Sequence, residues 1–323
     1  MRLAFFGSGA FGLPTIESLH AQHDLALVVT QPDRPAGRKQ KLTPTPIGAW
    51  ALERGVPIER HDEVNRAAFV ERLAAQKLDA SVVIAFGQKL GEPLIDAMGK
   101  LAMNLHGSIL PAYRGAAPVQ RAVMDGLPKT GVSVIGLAQR MDAGLVYGTA
   151  ELDIRPTDTS GDVHDRLAEL GPEAVGRVLA QLADDALSPT TQDESQATRA
   201  RKLTKAEGTV DFAAEGMAAT RARAWINGLN PWPGCRVVCV SASGNRRELI
   251  LRRVVDEPAG DADDADSARP GTVLDRLCVA TRSGLVRLLE LQAPGSKQMP
   301  AEAFAAGHGL AVGDRLEPWL FPS

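Results

Sequence analysis

The chain has 323 residues, of which 44% are apolar, and it carries 36 Lys and Arg against 39 Asp and Glu, a formal charge of −3. That length leads us to expect two domains, and the charge excludes a surface coated in basic residues without excluding a local basic track for phosphates. No apolar run approaches the roughly 18 residues that span a bilayer, and the first strand-like segment follows no cleavable leader pattern. A cytoplasmic protein away from the membrane is expected, and a monomer.

Taken in chain order, Leu3–Phe6 is a short apolar run. It is followed by Gly7-Ser-Gly-Ala-Phe-Gly12 and a helical stretch, Leu13–His20. Leu25–Thr30, Ser81–Phe86 and Val132–Leu137 read as further strands. Continuous apolar runs separated by helical segments predict a sheet buried on both faces, so the first half is expected to be α/β, doubly wound and mostly parallel. Residues 186–198 are polar and linker-like. A helix is expected over about 212–226, and Asn230-Pro-Trp-Pro-Gly234 is a turn. Arg236–Val240, Glu248–Val255, Thr272–Thr281 and Leu285–Leu291 then read as short strands, which predicts a small OB-like β-barrel. The expected division is 1–189, a linker over 190–208, and 209–323. The acidic 256–268 stretch reads as a surface loop. Cys235, Cys239 and Cys278 are odd in number, form no CxxC pair and lie in strand-like runs, so buried thiols are expected rather than a disulfide or a metal site.

Gly7-x-Gly9-x-x-Gly12 between a strand and a helix fits a dinucleotide-binding fingerprint. That fingerprint needs a carboxylate about 20 residues further on, at a strand end. Here the second strand ends Val-Val-Thr30-Gln31-Pro32, and Asp33 opens a basic loop instead. A tight turn with close helix packing is the better reading, and an NAD-dependent oxidoreductase is disfavoured.

The stretch with chemical content is Ala102-Met-Asn104-Leu-His106-Gly-Ser108-Ile-Leu-Pro111-Ala-Tyr-Arg-Gly115. Strand alternation places Asn104 and His106 on one face. Downstream, Met141-Asp142-Ala-Gly144 puts a carboxylate beside a glycine where it can reach the same cleft. An amide donor, an imidazole and a carboxylate suit acyl transfer, in which two groups stabilise an oxyanion and the third orients the histidine or handles protons. GxSxG is absent, no cysteine stands near a histidine in sequence, and the histidine spacing offers no metal triad.

These motifs resemble those of the folate-dependent formyltransferases. Asn104-Leu-His106-Gly-Ser-Ile-Leu-Pro-Ala-Tyr-Arg-Gly matches the family signature, and Asp142-Ala-Gly matches its second motif at a similar separation. Gln31-Pro-Asp-Arg-Pro-Ala-Gly-Arg38-Lys-Gln-Lys-Leu, Lys202-Leu-Thr-Lys-Ala-Glu and Asn230-Pro-Trp-Pro look like the branch that acts on an aminoacylated tRNA. Phe212 stands where a Trp is usual, and the acidic loop looks inserted. The resemblance covers nearly the whole chain. It implies a Rossmann-like catalytic domain, 10-formyltetrahydrofolate as formyl donor and initiator methionyl-tRNA as acceptor. It further implies an oxyanion held by Asn104 and His106, with Asp142 supporting His106. Folate would be lined by Ser108, Ile109, Leu110 and Pro111, with Phe86 and Gly87 packing on the pterin.

For the tRNA, the 33–41 segment offers Arg34, Arg38, Lys39 and Lys41 against Asp33, a local charge of +3 in a Pro/Gly-rich loop. It follows the second strand, at the end where α/β sites open. Arg199, Arg201, Lys202 and Lys205 add a second basic group, and Arg246, Arg247, Arg252 and Arg253 a third. A sister enzyme that formylates a small amine, such as a purine ribonucleotide or an amino-sugar nucleotide, is the main alternative. A catalytically dead RNA-binding protein is disfavoured by the intact Asn104, His106 and Asp142.

Overall fold

The computed structural model describes residues 1–37, 40–257 and 268–320. Arg38, Lys39 and most of the acidic 256–268 stretch lie outside the described residues. The chain forms two compact units, and no single cut separates them. The first comprises Met1–Gly115, Thr130–Leu152 and His164–Arg199; the second comprises Ala116–Lys129, Asp153–Val163 and Ala200–Ser323.

The first unit is built on a seven-stranded sheet. Its strands are β1 (Arg2–Gly7), β2 (Asp24–Thr30), β3 (Ile58–Arg60), β4 (Ala80–Ile84), β5 (Leu101–His106), β6 (Lys129–Gly136) and β7 (Val146–Asp153). They lie in the order β7-β6-β5-β4-β1-β2-β3. All pairings from β5 to β3 are parallel, whereas β6 runs antiparallel to β5. The inner strands explain the continuous apolar runs. All five residues of β4 and five of the six in β1 are buried, as a strand covered on both faces must be. The edge strand β7 alternates instead. After β3 the chain returns to the far side of β1 to form β4, so β1 and β4 flank the point where strand order reverses. Ligand crevices of open α/β sheets lie at the carboxyl ends of such a pair.

Local chemistry sets the connections. Thr45 caps the helix Pro46–Arg54, accepting the Gly48 N–H at 3.0 Å, and Pro46 supplies the fixed φ of a first turn. Gly55 closes the same helix in the left-handed region, at φ +66°. The basic segment read as a plain loop is in fact a short antiparallel ribbon, Arg34–Ala36 against Lys41–Thr43. Alternation was too brief there to register as strand.

The glycine-rich turn is explained without a dinucleotide. The Ser8 and Gly9 N–H groups both point at the Ala85 carbonyl. A Cβ on Gly7 would lie 2.5 Å from the Phe5 ring, and one on Gly12 would lie 2.9 Å from it. These glycines let β1 and the helix Leu13–Gln22 crowd against Phe5.

In the second unit, β8 (Cys235–Val240), β9 (Arg246–Glu257), β10 (Cys278–Ala280), β11 (Leu285–Gln292) and β12 (Arg315–Pro318) follow the order β10-β11-β9-β8-β12. The segment expected as one strand, Thr272–Thr281, is folded back on itself: Val273 bridges Val279, and Thr272 bridges Arg315 of β12. The Leu316 N–H donates to the Gly271 carbonyl at 2.8 Å, so this short segment joins the two ends of the sheet and closes an OB-like barrel. The helix expected over 212–226 begins only at Ala219 and runs to Gly228. Phe212 is instead in the core with Leu229, Val237 and Leu251. Cys235, Cys239 and Cys278 are buried free thiols, and burial pushes the Cys235 thiol far above its ordinary range.

Candidate active site

The site is assembled on β5 and on the two loops that meet its C-terminal half. Asn104 pairs with Val83 of β4 on one side and Ile135 of β6 on the other, so its backbone is fixed in the middle of the sheet. Its side chain is half-buried, and among the described residues no hydrogen bond engages its carboxamide. An amide held on rigid strand backbone with its donors unspent is suited to receiving an oxyanion.

His106, two residues on, is 6% exposed. Its Nε2 lies 3.0 Å from the Tyr113 carbonyl, which can only accept, so Nε2 carries a proton and donates. Nδ1 is then the nitrogen available for chemistry, and it faces Asp142 Oδ2 at 3.7 Å. That separation is an electrostatic contact rather than a hydrogen bond. When His106 is charged, both nitrogens donate, and the carboxylate is its counter-ion.

Asp142 is held by its backbone as much as by its side chain. It sits in the left-handed region at φ +54°, and Oδ2 accepts the Gly115 N–H at 2.8 Å. Gly144 has no alternative: a Cβ there would lie 1.8 Å from the Gly136 carbonyl oxygen. Of the three residues expected at one cleft, His106 and Asp142 face each other within the first unit, and Asn104 lies two residues before His106 on β5.

The Ser108–Pro111 loop follows directly from β5. Ser108 Oγ donates to the Ala112 carbonyl at 2.6 Å, and the Leu110–Pro111 peptide is cis. Buried Ser133 of β6 pins the loop from below: its Oγ donates to the Ser108 carbonyl at 2.8 Å and accepts the Leu110 N–H at 3.0 Å. Gly131 on the same strand leaves room for Ile109, whose Cδ1 would stand 2.3 Å from an added Cβ.

Phe86 lies just past the end of β4 rather than within it. Its ring meets Phe6 edge-on at 5.6 Å, and its carbonyl accepts from Ser8 Oγ at 3.2 Å and Gln31 Nε2 at 2.9 Å. Gly87, at φ +83°, passes so close to Gln31 that a Cβ would lie 2.5 Å from its Nε2. The loops after β1, β2 and β4 are thus tied together at the strand-order reversal.

Three residues around the carboxylate escaped the sequence reading. Gln192, inside the polar stretch read as linker, is 8% exposed; its Nε2 donates to the carbonyls of Asp142 and Gly144, both at 2.8 Å. Arg114, equally buried, donates to Gln192 Oε1 from Nε and Nη2 and to the Glu194 carboxylate from Nη1 and Nη2. Glu194 also pairs with Arg140. Hydrogen bonds from Arg114 and Arg140 draw its carboxyl down to about 2. Polar composition signalled a solvated linker; only the burial of Gln192 and Arg114 distinguishes a network from one.

The residues expected at the tRNA are distributed over both units. Arg34 and Lys41 lie exposed on the ribbon in the first, and Arg34 donates to Gln31 Oε1 at 3.2 Å. Arg38 and Lys39 fall outside the described residues. Arg201, Lys202 and Lys205 project exposed side chains from the second unit, where the Arg201 carbonyl accepts from Arg121 at 3.0 Å. The barrel arginines are not a free basic patch. Arg246 pairs with Glu317, Arg247 with Asp314, Arg253 with Asp162, and Arg252 donates to Gln292 and Asn230. Acids distant in sequence neutralise three of the four. Among the described residues no group of three or more His, Cys, Asp or Glu is placed to hold a metal ion, and no helix is long and apolar enough to cross a membrane.

An amide, an imidazole and a carboxylate on a doubly wound scaffold are groups suited to acyl transfer. Comparison with known proteins sharpens the class. The family model "Formyl transferase" matches residues 1–179, and "Formyl transferase, C-terminal domain" matches 202–309. The methionyl-tRNA formyltransferase of Heliobacterium modesticaldum is 39% identical over 98% of this chain and 100% of its own length. That of Methylococcus capsulatus is 38% identical over 98% and 99%. The chain belongs to the formyl transferase family, among the methionyl-tRNA formyltransferases.

Two solved structures share the fold. The N-formyltransferase of Helicobacter canadensis, in complex with folinic acid and dTDP-3-aminofucose, has a TM-score of 0.67 at 12% identity, over 89% of this chain and 99% of its own. HypX from Aquifex aeolicus, in complex with tetrahydrofolic acid, has a TM-score of 0.60 at 17% identity. All of this chain is covered there, spanning half of HypX.

Proposed function

We infer that the protein transfers the formyl group of 10-formyltetrahydrofolate to the α-amino group of initiator methionyl-tRNA, giving formylmethionyl-tRNA for translation initiation in the cytoplasm. The carrying observation is the site around β5: an uncommitted Asn104 carboxamide beside a buried His106 whose Nδ1 faces Asp142 at 3.7 Å. Full-length similarity to methionyl-tRNA formyltransferases supports the acceptor, and the folates bound by proteins of the same fold support a folate donor. In this reading residues 1–189 are catalytic, 190–208 link, and 209–323 face the tRNA.

The chemistry needs little activation. A free α-amino group titrates near pH 8, so a usable fraction is neutral at pH 7. Its lone pair attacks the formyl carbon, and the carbonyl oxygen becomes an oxyanion that accepts from Asn104 and from His106 Nδ1–H. Asp142 balances the imidazolium while it carries that proton. As the bond from the formyl carbon to N10 breaks, the proton lost by the attacking amine ends on N10, and no redox change occurs. Ser108–Pro111 and the Phe86–Gly87 turn hold the folate. Arg34, Arg38, Lys39 and Lys41, with Arg201, Lys202 and Lys205, meet tRNA phosphates.

The test is incubation of the purified protein with 10-formyltetrahydrofolate and methionyl-tRNA, followed by detection of formylmethionine on the tRNA. Formylation of an amino-sugar nucleotide or glycinamide ribonucleotide, with methionyl-tRNA left untouched, overturns the acceptor and keeps the class.

A further inference from the structure

We propose that Gln192 is a positioning residue for the reaction, setting the orientation of Asp142 towards His106 through the carbonyls of Asp142 and Gly144. This rests on the catalytic reading of Asp142 given above.

Gln192 has two N–H donors and one acceptor oxygen, and which end faces which way is decided by its partners. Its Oε1 receives two hydrogen bonds from Arg114, at 2.9 and 2.7 Å. A guanidinium only donates, so the amide cannot be flipped. Nε2 must therefore point the opposite way, where it meets the carbonyls of Asp142 and Gly144, each at 2.8 Å. Two carbonyls converging on one NH2 group define the path of the turn between them. That turn carries Asp142 at φ +54°, a conformation that is costly for a non-glycine residue and persists only where its surroundings enforce it.

Arg114 is itself fixed. Its guanidinium lies along the Glu194 carboxylate at 3.1 and 3.0 Å, and Glu194 also pairs with Arg140, two residues before Asp142. The contacts make a closed circuit from Arg140 through Glu194, Arg114 and Gln192 back to Asp142. The short segment Tyr113–Gly115 feeds the same site three times. The Tyr113 carbonyl accepts a hydrogen bond from His106 Nε2–H, the Arg114 side chain orients Gln192, and the Gly115 N–H donates to Asp142 Oδ2. The imidazole and the carboxylate are thereby referenced to one piece of backbone. A buried Arg–Gln pair with its donors and acceptor directed at the catalytic turn exceeds what a linker needs.

Gln192→Glu tests this. The variant keeps size and shape and can still accept from Arg114, but it has no N–H for either carbonyl. The expected result is a kcat for methionyl-tRNA reduced at least tenfold, with KM for 10-formyltetrahydrofolate within about twofold and unfolding temperature near the parent. The limb of the kcat/KM profile on which activity falls with rising pH should move to lower pH, because His106 acts in its charged form and a displaced carboxylate supports the imidazolium less. In the Asp142→Asn background, Gln192→Glu should add less than about twofold, since the two act through one group. Should Gln192→Glu fold poorly, Glu194→Ala, at a more exposed position, is expected to lower kcat by about two- to fivefold with the same direction of limb shift. A folded Gln192→Glu enzyme with parental kcat and limb overturns the proposal, as does a loss that multiplies with that of Asp142→Asn. Full activity of Asp142→Asn alone would instead overturn the catalytic reading.

Discussion

Gly144→Ala should cripple formyl transfer without unfolding the protein. A Cβ built on Gly144 lies 1.8 Å from the carbonyl oxygen of Gly136 and 2.8 Å from its carbonyl carbon, and real Cβ atoms do not approach closer than 3.0 Å. The two strands of chain must part by about 1.2 Å. Gly136 pairs with Met103 of β5 and donates its N–H to Leu145 at 2.9 Å, so the side that yields is the turn carrying Asp142. Moving the carboxylate from 3.7 Å to about 4.7 Å from Nδ1, at an effective dielectric near 20, forfeits about 1 kcal/mol of ion pairing, roughly fivefold in rate. Misorientation adds to this, because a displacement of about 1 Å at a catalytic group costs up to a hundredfold. Orientation can thus outweigh ion pairing, and with both factors multiplied the total loss in kcat should fall between about fivefold and five-hundredfold. Initial rates of formylmethionyl-tRNA formation, with circular dichroism melting as a control for fold, read this directly. Turnover within twofold of the parent in a folded variant would refute the idea that this close approach sets the position of Asp142.

His106→Ala should lower formyl transfer at least about a hundredfold, the scale for losing an oxyanion or acid–base group, with an unchanged melting profile; near-normal turnover would end the assignment. Asp142→Asn should keep the fold and lose activity, since an amide cannot balance an imidazolium, and a fully active variant would make Asp142 structural only. Arg38→Ala should weaken transfer to methionyl-tRNA by about 1–3 kcal/mol while leaving folate titration unchanged; unaltered tRNA kinetics would reduce the 33–41 segment to a solvated charge run. Burial tends to raise the Asp162 pKa, but hydrogen bonds from Arg253 and Thr159 and the Arg253 charge bring it below its ordinary value. Its ionised form therefore stabilises the fold above pH about 4, and the gain is lost as pH falls through the folded value. Asp162→Asn should melt lower than the parent at pH 7, with the gap closing below pH about 4, and a gap that stays constant with pH would discount the pair with Arg253.

Much of this protein can be read from its sequence because the relevant signals are local. Continuous apolar runs identify β1, β2 and β4 as inner strands, since a strand covered on both faces has no polar side to show. The two-residue spacing of Asn104 and His106 places them on one face for the same elementary reason, and the glycine after Asp142 marks a turn at close quarters. Other features depend on which segments meet, and composition is silent about that. Gln192 and Glu194 sit in a polar stretch indistinguishable from linker until Arg114 is laid against them. The barrel arginines look like a basic patch until Glu317, Asp314 and Asp162 arrive from elsewhere in the chain. The helix expected from 212 starts at Ala219, because Phe212 is drawn into the barrel core instead. Periodicity and turn chemistry act over a few residues, so sequence alone determines most elements and their faces and singles out the candidate site groups. Partnerships across 50 or more residues, such as Gln192 with Asp142, exist only once the chain has folded, and the burial that makes them strong is a property of tertiary structure.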